Sequence, residues 1–143
     1  MSKLETPLTR RYWEETGGTL IEEFLAVPGS ADRGKRLLDG VIVLDEAFER
    51  KSAKAVELEG KNIIVVQTKA SRLGMYLLGQ ALFSARLMER FRPASIRSVA
   101  ICTKGDVVLE PLAKEYGLEI VVYSAAQRTR IDRESEASHD LIR

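Results

Sequence analysis

The chain has 143 residues, a formal net charge of +1, 45% hydrophobic and 30% charged residues, which is enough apolar material for one domain with a real core. The near-neutral balance argues against a purely electrostatic nucleic-acid binder but not against one with a local basic groove. A single cysteine, Cys102, excludes a disulfide framework and a cysteine zinc cluster, and a single histidine, His139, in a polar stretch speaks against Ser-His-Asp and Cys-His chemistry.

In chain order, residues 7–16 read as a short helix with Pro7 near its start and Gly17-Gly18 at its end. Thr19 to Val27 reads as an apolar strand interrupted by Glu22 and Glu23, which strict alternation sends to opposite faces. Pro28-Gly29-Ser30 is a turn, and Arg33, Lys35 and Arg36 make a basic connection to a second strand, Leu37 to Leu44. Residues 45–61 are charge-dense, either a flap or a wide hairpin connection. Asn62 to Lys69 is the third strand. The spacing predicts a helix over 72–90, with Leu73, Tyr76, Leu77, Ala81, Phe83, Leu87 and Met88 on one broad face and Pro93 beyond its end. Arg97 to Thr103 is a fourth strand, Lys104-Gly105-Asp106 a turn, and Val108 to Tyr116 a helix closed by Gly117. Leu118 to Tyr123 is a fifth strand. The expected fold is thus α/β, a mixed central sheet flanked by helices in the order α-β-β-β-α-β-α-β, with the long helix on one face and the first and last on the other. Residues 1–123 form the single domain, and 124–143 a polar, flexible tail. The N-terminus has no apolar leader and no window approaches a membrane span, so a cytoplasmic protein without membrane contact is expected.

The third strand ends Gln67-Thr68-Lys69, which puts Gln67 and Lys69 on the face of Ile63 and Val65. An amide and an ammonium at the end of a buried strand are costly unless satisfied or used. The second strand carries one early carboxylate, Asp39. On the long helix, Gln80 falls inside the apolar stripe with Ser84 four residues on, and a buried amide there needs partners, for which the strand end bearing Gln67 and Lys69 is the nearest candidate.

The strand order, with Asp39 opening the second strand and Gln67-x-Lys69 closing the third, resembles the core of the PD-(D/E)XK nuclease superfamily over residues 10–123, in a QxK variant. That superfamily includes restriction endonucleases and archaeal Holliday-junction resolvases. The resemblance implies a restriction endonuclease-like fold and metal-dependent phosphodiester hydrolysis of DNA. Asp39 would take the metal-ligand place, Lys69 the place of the lysine that assists the attacking water, and Gln67 the place of the second acid. The additional acid would come from Glu23, Glu22 or Glu15, of which Glu23 is preferred because it shares a strand face with Ile21 and Leu25. The implied catalytic set is Lys69, Gln67, Asp39 and Glu23. The implied metal ligands are Asp39, Gln67 and Glu23, with magnesium or manganese as the ion. Such ions favour oxygen ligands, activate water and stabilise charge on phosphate. Arg33, Lys35, Arg36, Arg72 and Gln80 would grip the DNA, with Arg11 as a further cation. A chain this short suggests a homodimer presenting two sites to two strands.

Each residue also has a plainer reading. Lys69 alone reads as a snorkelling surface lysine, Asp39 before Gly40 as a turn residue, and Trp13 and Tyr12 as core aromatics. The alternative function keeps the nuclease-like fold without catalysis, as a DNA-binding or protein-interaction module. A doubly wound ligand-binding domain is disfavoured because no crossover helices separate the first three strands.

Overall fold

The computed structural model describes residues 1–124. The tail expected over 124–143 lies, from residue 125 on, outside them. Helix α1 spans Glu5–Thr16. Strands β1 (Thr19–Val27) and β2 (Arg36–Val43) follow, then a two-residue strand β3 (Glu49–Arg50), β4 (Asn62–Thr68), helix α2 (Met75–Met88), β5 (Ser95–Cys102), helix α3 (Leu109–Glu115) and β6 (Leu118–Val122). The order is therefore α-β-β-β-β-α-β-α-β, in one six-stranded mixed sheet arranged β3-β1-β2-β4-β5-β6. Strands β1, β2 and β4 pair antiparallel; β4, β5 and β6 pair parallel.

The extra strand corrects the expected order. It lies in the charge-dense 45–61 segment and pairs parallel with the start of β1, Thr19 to Glu49 and Leu20 to Arg50. Two exposed, charged residues carry no hydrophobic alternation, so pattern alone cannot reveal them. The segment is further tied by Phe48, which stacks on Trp13 with ring centroids 4.3 Å apart.

Strand β4 is the centre of the core. Ile63, Ile64, Val65 and Val66 are all fully buried because helices cover both faces of the sheet. Each such side chain contributes about 1.5–3 kcal/mol. On one face Ile63 and Val65 pack with Met88 of α2. On the other Ile64 and Val66 pack with Leu8, Tyr12 and Trp13 of α1, which makes Tyr12 and Trp13 core residues, as their plainer reading has it. The sequence leads to the expectation that helix α3 shares the face of α1; it lies instead on the face of α2. Its Ala113 packs with Leu77 and Leu78 of α2. Two parallel crossovers that step the same way across a sheet, both right-handed, put their helices on the same side. Among the described residues no helix is long and apolar enough to cross a membrane.

Helix α2 starts at Met75 rather than 72 and ends in a 3-10 turn, Glu89–Phe91. Its buried face is Leu77, Leu78, Ala81, Ser84 and Met88. Tyr76 and Phe83, expected inside, are 73% and 67% exposed. Apolar side chains run almost all round this helix, so hydrophobicity does not select the face; contact with β4 and β5 does.

Candidate functional site

The site is built where β2 and β4 part. Their last paired residues are Gly40 and Val66. One residue further along β2, the Asp39 carboxylate accepts the Thr68 backbone N–H at 2.8 Å. The side chain thus supplies the acceptor that the neighbouring strand no longer provides. Thr68 also shares a 2.7 Å hydroxyl–hydroxyl hydrogen bond with Thr9 of α1. The helix comes this close because Gly40 has no side chain: a Cβ there would sit 3.2 Å from Leu20 and 3.4 Å from Thr9.

Asp39 is half-buried. Burial pushes its carboxyl above the usual range; the Thr68 N–H opposes this, and the negative charges of Glu5 and Glu23 add to it. Glu5, at the start of α1, is thus the carboxylate that acts most strongly on Asp39, ahead of Glu23. Sequence reading passed over Glu5. An acid in the first turn of a helix ordinarily reads as a response to the helix dipole, and only the packing of α1 beside Gly40 brings it to Asp39.

The three acids weighed as completing the set go to different places. Glu15 accepts the Tyr123 hydroxyl at 2.7 Å and the Arg11 guanidinium at 3.2 Å. Glu22 is held by Arg10 and Arg50 at 3.0 and 3.2 Å. Glu23 pairs with the Met1 α-ammonium. Its backbone is left-handed, with φ of 51°, and this corrects its predicted face. Ile21 joins Phe24 and Ala26 in the core, while Glu23 and Leu25 are exposed. The alternation slips by one at Glu23, a local cost that an L residue meets at positive φ. Both glutamates consequently reach the N-terminal segment rather than opposite faces.

Gln67 is buried, as expected, but its partner is Ser84: Nε2 donates to the Ser84 hydroxyl at 2.7 Å. Gln67 also lines a cleft between β2 and α2. The cleft holds about 550 Å³ and is lined by Arg36, Gln67, Tyr76, Gly79, Gln80 and Phe83 among others. Gln80 is half-buried and lines this cleft; it does not partner Gln67 as expected. Lys69 lies one residue past the end of β4. Its backbone N–H is fixed to Ile101 O at 2.9 Å, while its side chain is exposed, in keeping with its plainer reading as a surface lysine. The ammonium stands 6.0 Å from the Tyr76 ring centroid, at the outer limit of a cation–π contact.

Of the cations singled out, Arg36 edges the cleft. Arg72 bridges to Lys104, which ties the loops after β4 and β5 together. Arg33 and Lys35 are exposed on the β1–β2 hairpin. None of these four, nor Lys69, pairs with a carboxylate among the described residues. Arg11 is elsewhere, over the Tyr123 ring at 4.0 Å. Cys102 is fully buried and burial pushes its thiol up, which removes it as a nucleophile.

Among the described residues no three Asp, Glu, His or Cys side chains cluster closely enough to hold a metal ion. Asp39 and Gln67 meet different partners: Asp39 bonds Thr68 N–H and is not among the residues that line the cleft, whereas Gln67 bonds Ser84 of α2 and lines it. Asp39 is a single carboxylate of the kind a magnesium-type cation takes alongside water and substrate phosphate. No family model, no curated protein and no solved structure matches this chain.

Proposed function

We propose that this chain is a restriction endonuclease-like protein of the PD-(D/E)XK type that hydrolyses DNA phosphodiester bonds with magnesium or manganese. The observation that carries the proposal is the Asp39 carboxylate, bonded to Thr68 N–H at the strand parting, between Gln67 and Lys69 in the neighbouring strand end. Asp39 and Gln67 would hold the ion, with Glu5 and Glu23 adding negative potential. The ion supplies charge stabilisation on the phosphate and an activated water. Lys69 Nζ orients the attacking water or neutralises charge that develops on the phosphate. Arg36 and Arg72 position the backbone without reading sequence. A homodimer would bring two such sites to two strands.

A second reading, a DNA-binding module without catalysis, is favoured by one feature: an amide, Gln67, stands where a second acid would complete the ligand set. Nicking of supercoiled and branched DNA in magnesium or manganese separates the two. The proposal expects cleavage by the native chain that both Lys69→Ala and Asp39→Asn lose. Cleavage that survives both substitutions refutes this site, and binding without cleavage supports the second reading.

A further inference from the structure

We infer that the cleft between β2 and α2 takes an unpaired nucleobase, so that single-stranded DNA is the preferred ligand. The inference rests on the nuclease reading of the adjoining site and names its substrate class.

Tyr76 and Phe83 are seven residues apart on α2, two helical turns along one side, and both line the cleft while largely exposed. Exposed aromatics are platforms on which bases stack. Between them lie Gly79 and Gln80. Gly79 is inside the helix, where glycine is unfavourable relative to alanine, yet a Cβ there would meet nothing within 4 Å. Packing within the protein therefore does not require it. Its absent side chain leaves a flat floor beside the two rings. Gln80, half-buried in the cleft wall, offers an amide edge of the kind that pairs with a base edge. Arg36 at the rim and Lys69 beside Tyr76 supply cations for the flanking phosphates. The volume, about 550 Å³, is in the range of small-ligand sites. An apolar protein segment would leave these amides and cations unmatched, whereas a nucleotide matches both. Duplex DNA keeps its bases stacked and cannot fill the cleft.

The test is fluorescence anisotropy with the full chain carrying Asp39→Asn, in EDTA, against three labelled 20-mers: oligo-dT, an abasic strand and a duplex. We expect oligo-dT to bind about tenfold more tightly than either other ligand. Tyr76→Ala and Phe83→Ala should each remove several-fold of oligo-dT affinity and leave abasic binding unchanged. Gly79→Ala should raise the melting temperature while it weakens oligo-dT, a combination that damage to the fold cannot produce. Equal affinity for all three ligands, or aromatic variants that change all three alike, overturns the inference. So does a dimer, seen by sedimentation, that Tyr76→Ala dissociates, since a second copy then occupies the cleft. If cleavage depends on Asp39 and Lys69 but binding ignores Tyr76, Phe83 and Gly79, only this inference falls. If the chain neither binds nor cleaves DNA, both fall.

Discussion

Replacing Asp39 separates its two roles. The Asp39 carboxylate accepts the N–H of Thr68, a residue 3% exposed. Asp39→Ala leaves that buried donor unpaired, at a cost of about 1–3 kcal/mol. With an unfolding entropy of about 2.1 cal/mol/K per residue, the 143-residue chain has about 0.3 kcal/mol/K in all. The melting temperature should fall by about 3–10 °C. Asp39→Asn keeps an oxygen acceptor and removes the charge. Burial and the nearby Glu5 and Glu23 raise the native Asp39 carboxyl above its unfolded value. Between those two values the native state holds a proton that the unfolded state lacks. The group's contribution to stability is therefore greatest at low pH and is lost as pH rises through that window. At pH 7 the asparagine variant should melt no lower than the native chain. The difference between them should shrink or reverse as pH falls toward the carboxylate range. Thermal melts from pH 3.5 to 7.5, followed by circular dichroism, measure this. An asparagine variant as unstable as the alanine variant, at every pH, would refute the reasoning, because the charge rather than the lone pair would then be holding Thr68.

Lys69→Ala should abolish cleavage while stability changes by no more than about 0.5 kcal/mol, as for other exposed positions; a chemical-denaturation midpoint alongside the nicking assay checks both. Ser84→Ala takes the acceptor from the buried Gln67 Nε2 and should cost about 1–3 kcal/mol. Gln67→Met in the same background should recover most of that loss, which a double-mutant cycle reads directly. Gly79→Ala should stabilise the fold by up to about 1 kcal/mol, since helix propensity favours alanine and nothing crowds the position; a melting temperature that drops instead would mean the helix is distorted there.

Much of the fold was legible locally. The run Ile63 to Val66 could only be a strand buried on both faces, and Gly17-Gly18, Pro93 and Gly117 marked real boundaries. The two-residue β3 was not, because backbone pairing at a sheet edge leaves no trace in side-chain pattern. Nor was the face of α2, where Tyr76 and Phe83 are as apolar as their buried neighbours. Alternation placed Gln67 correctly, since β4 is regular to Thr68. It misplaced Glu23, where a left-handed residue resets the alternation.

The sequence by itself determined the helices and every strand but β3, that Gln67 turns inward, and that Asp39 and Lys69 fall near the ends of neighbouring strands. Those are consequences of period and composition over a few residues. Only the tertiary structure decided that Asp39 meets Thr68 N–H, that the charges of Glu5 and Glu23 rather than Glu15 or Glu22 act on it, that Ser84 takes the Gln67 Nε2 hydrogen bond, and that two aromatic rings face a cleft. Each of these is a meeting of groups far apart in the chain. It is fixed by strand register and helix docking, and hence by packing of the whole core rather than by any local preference.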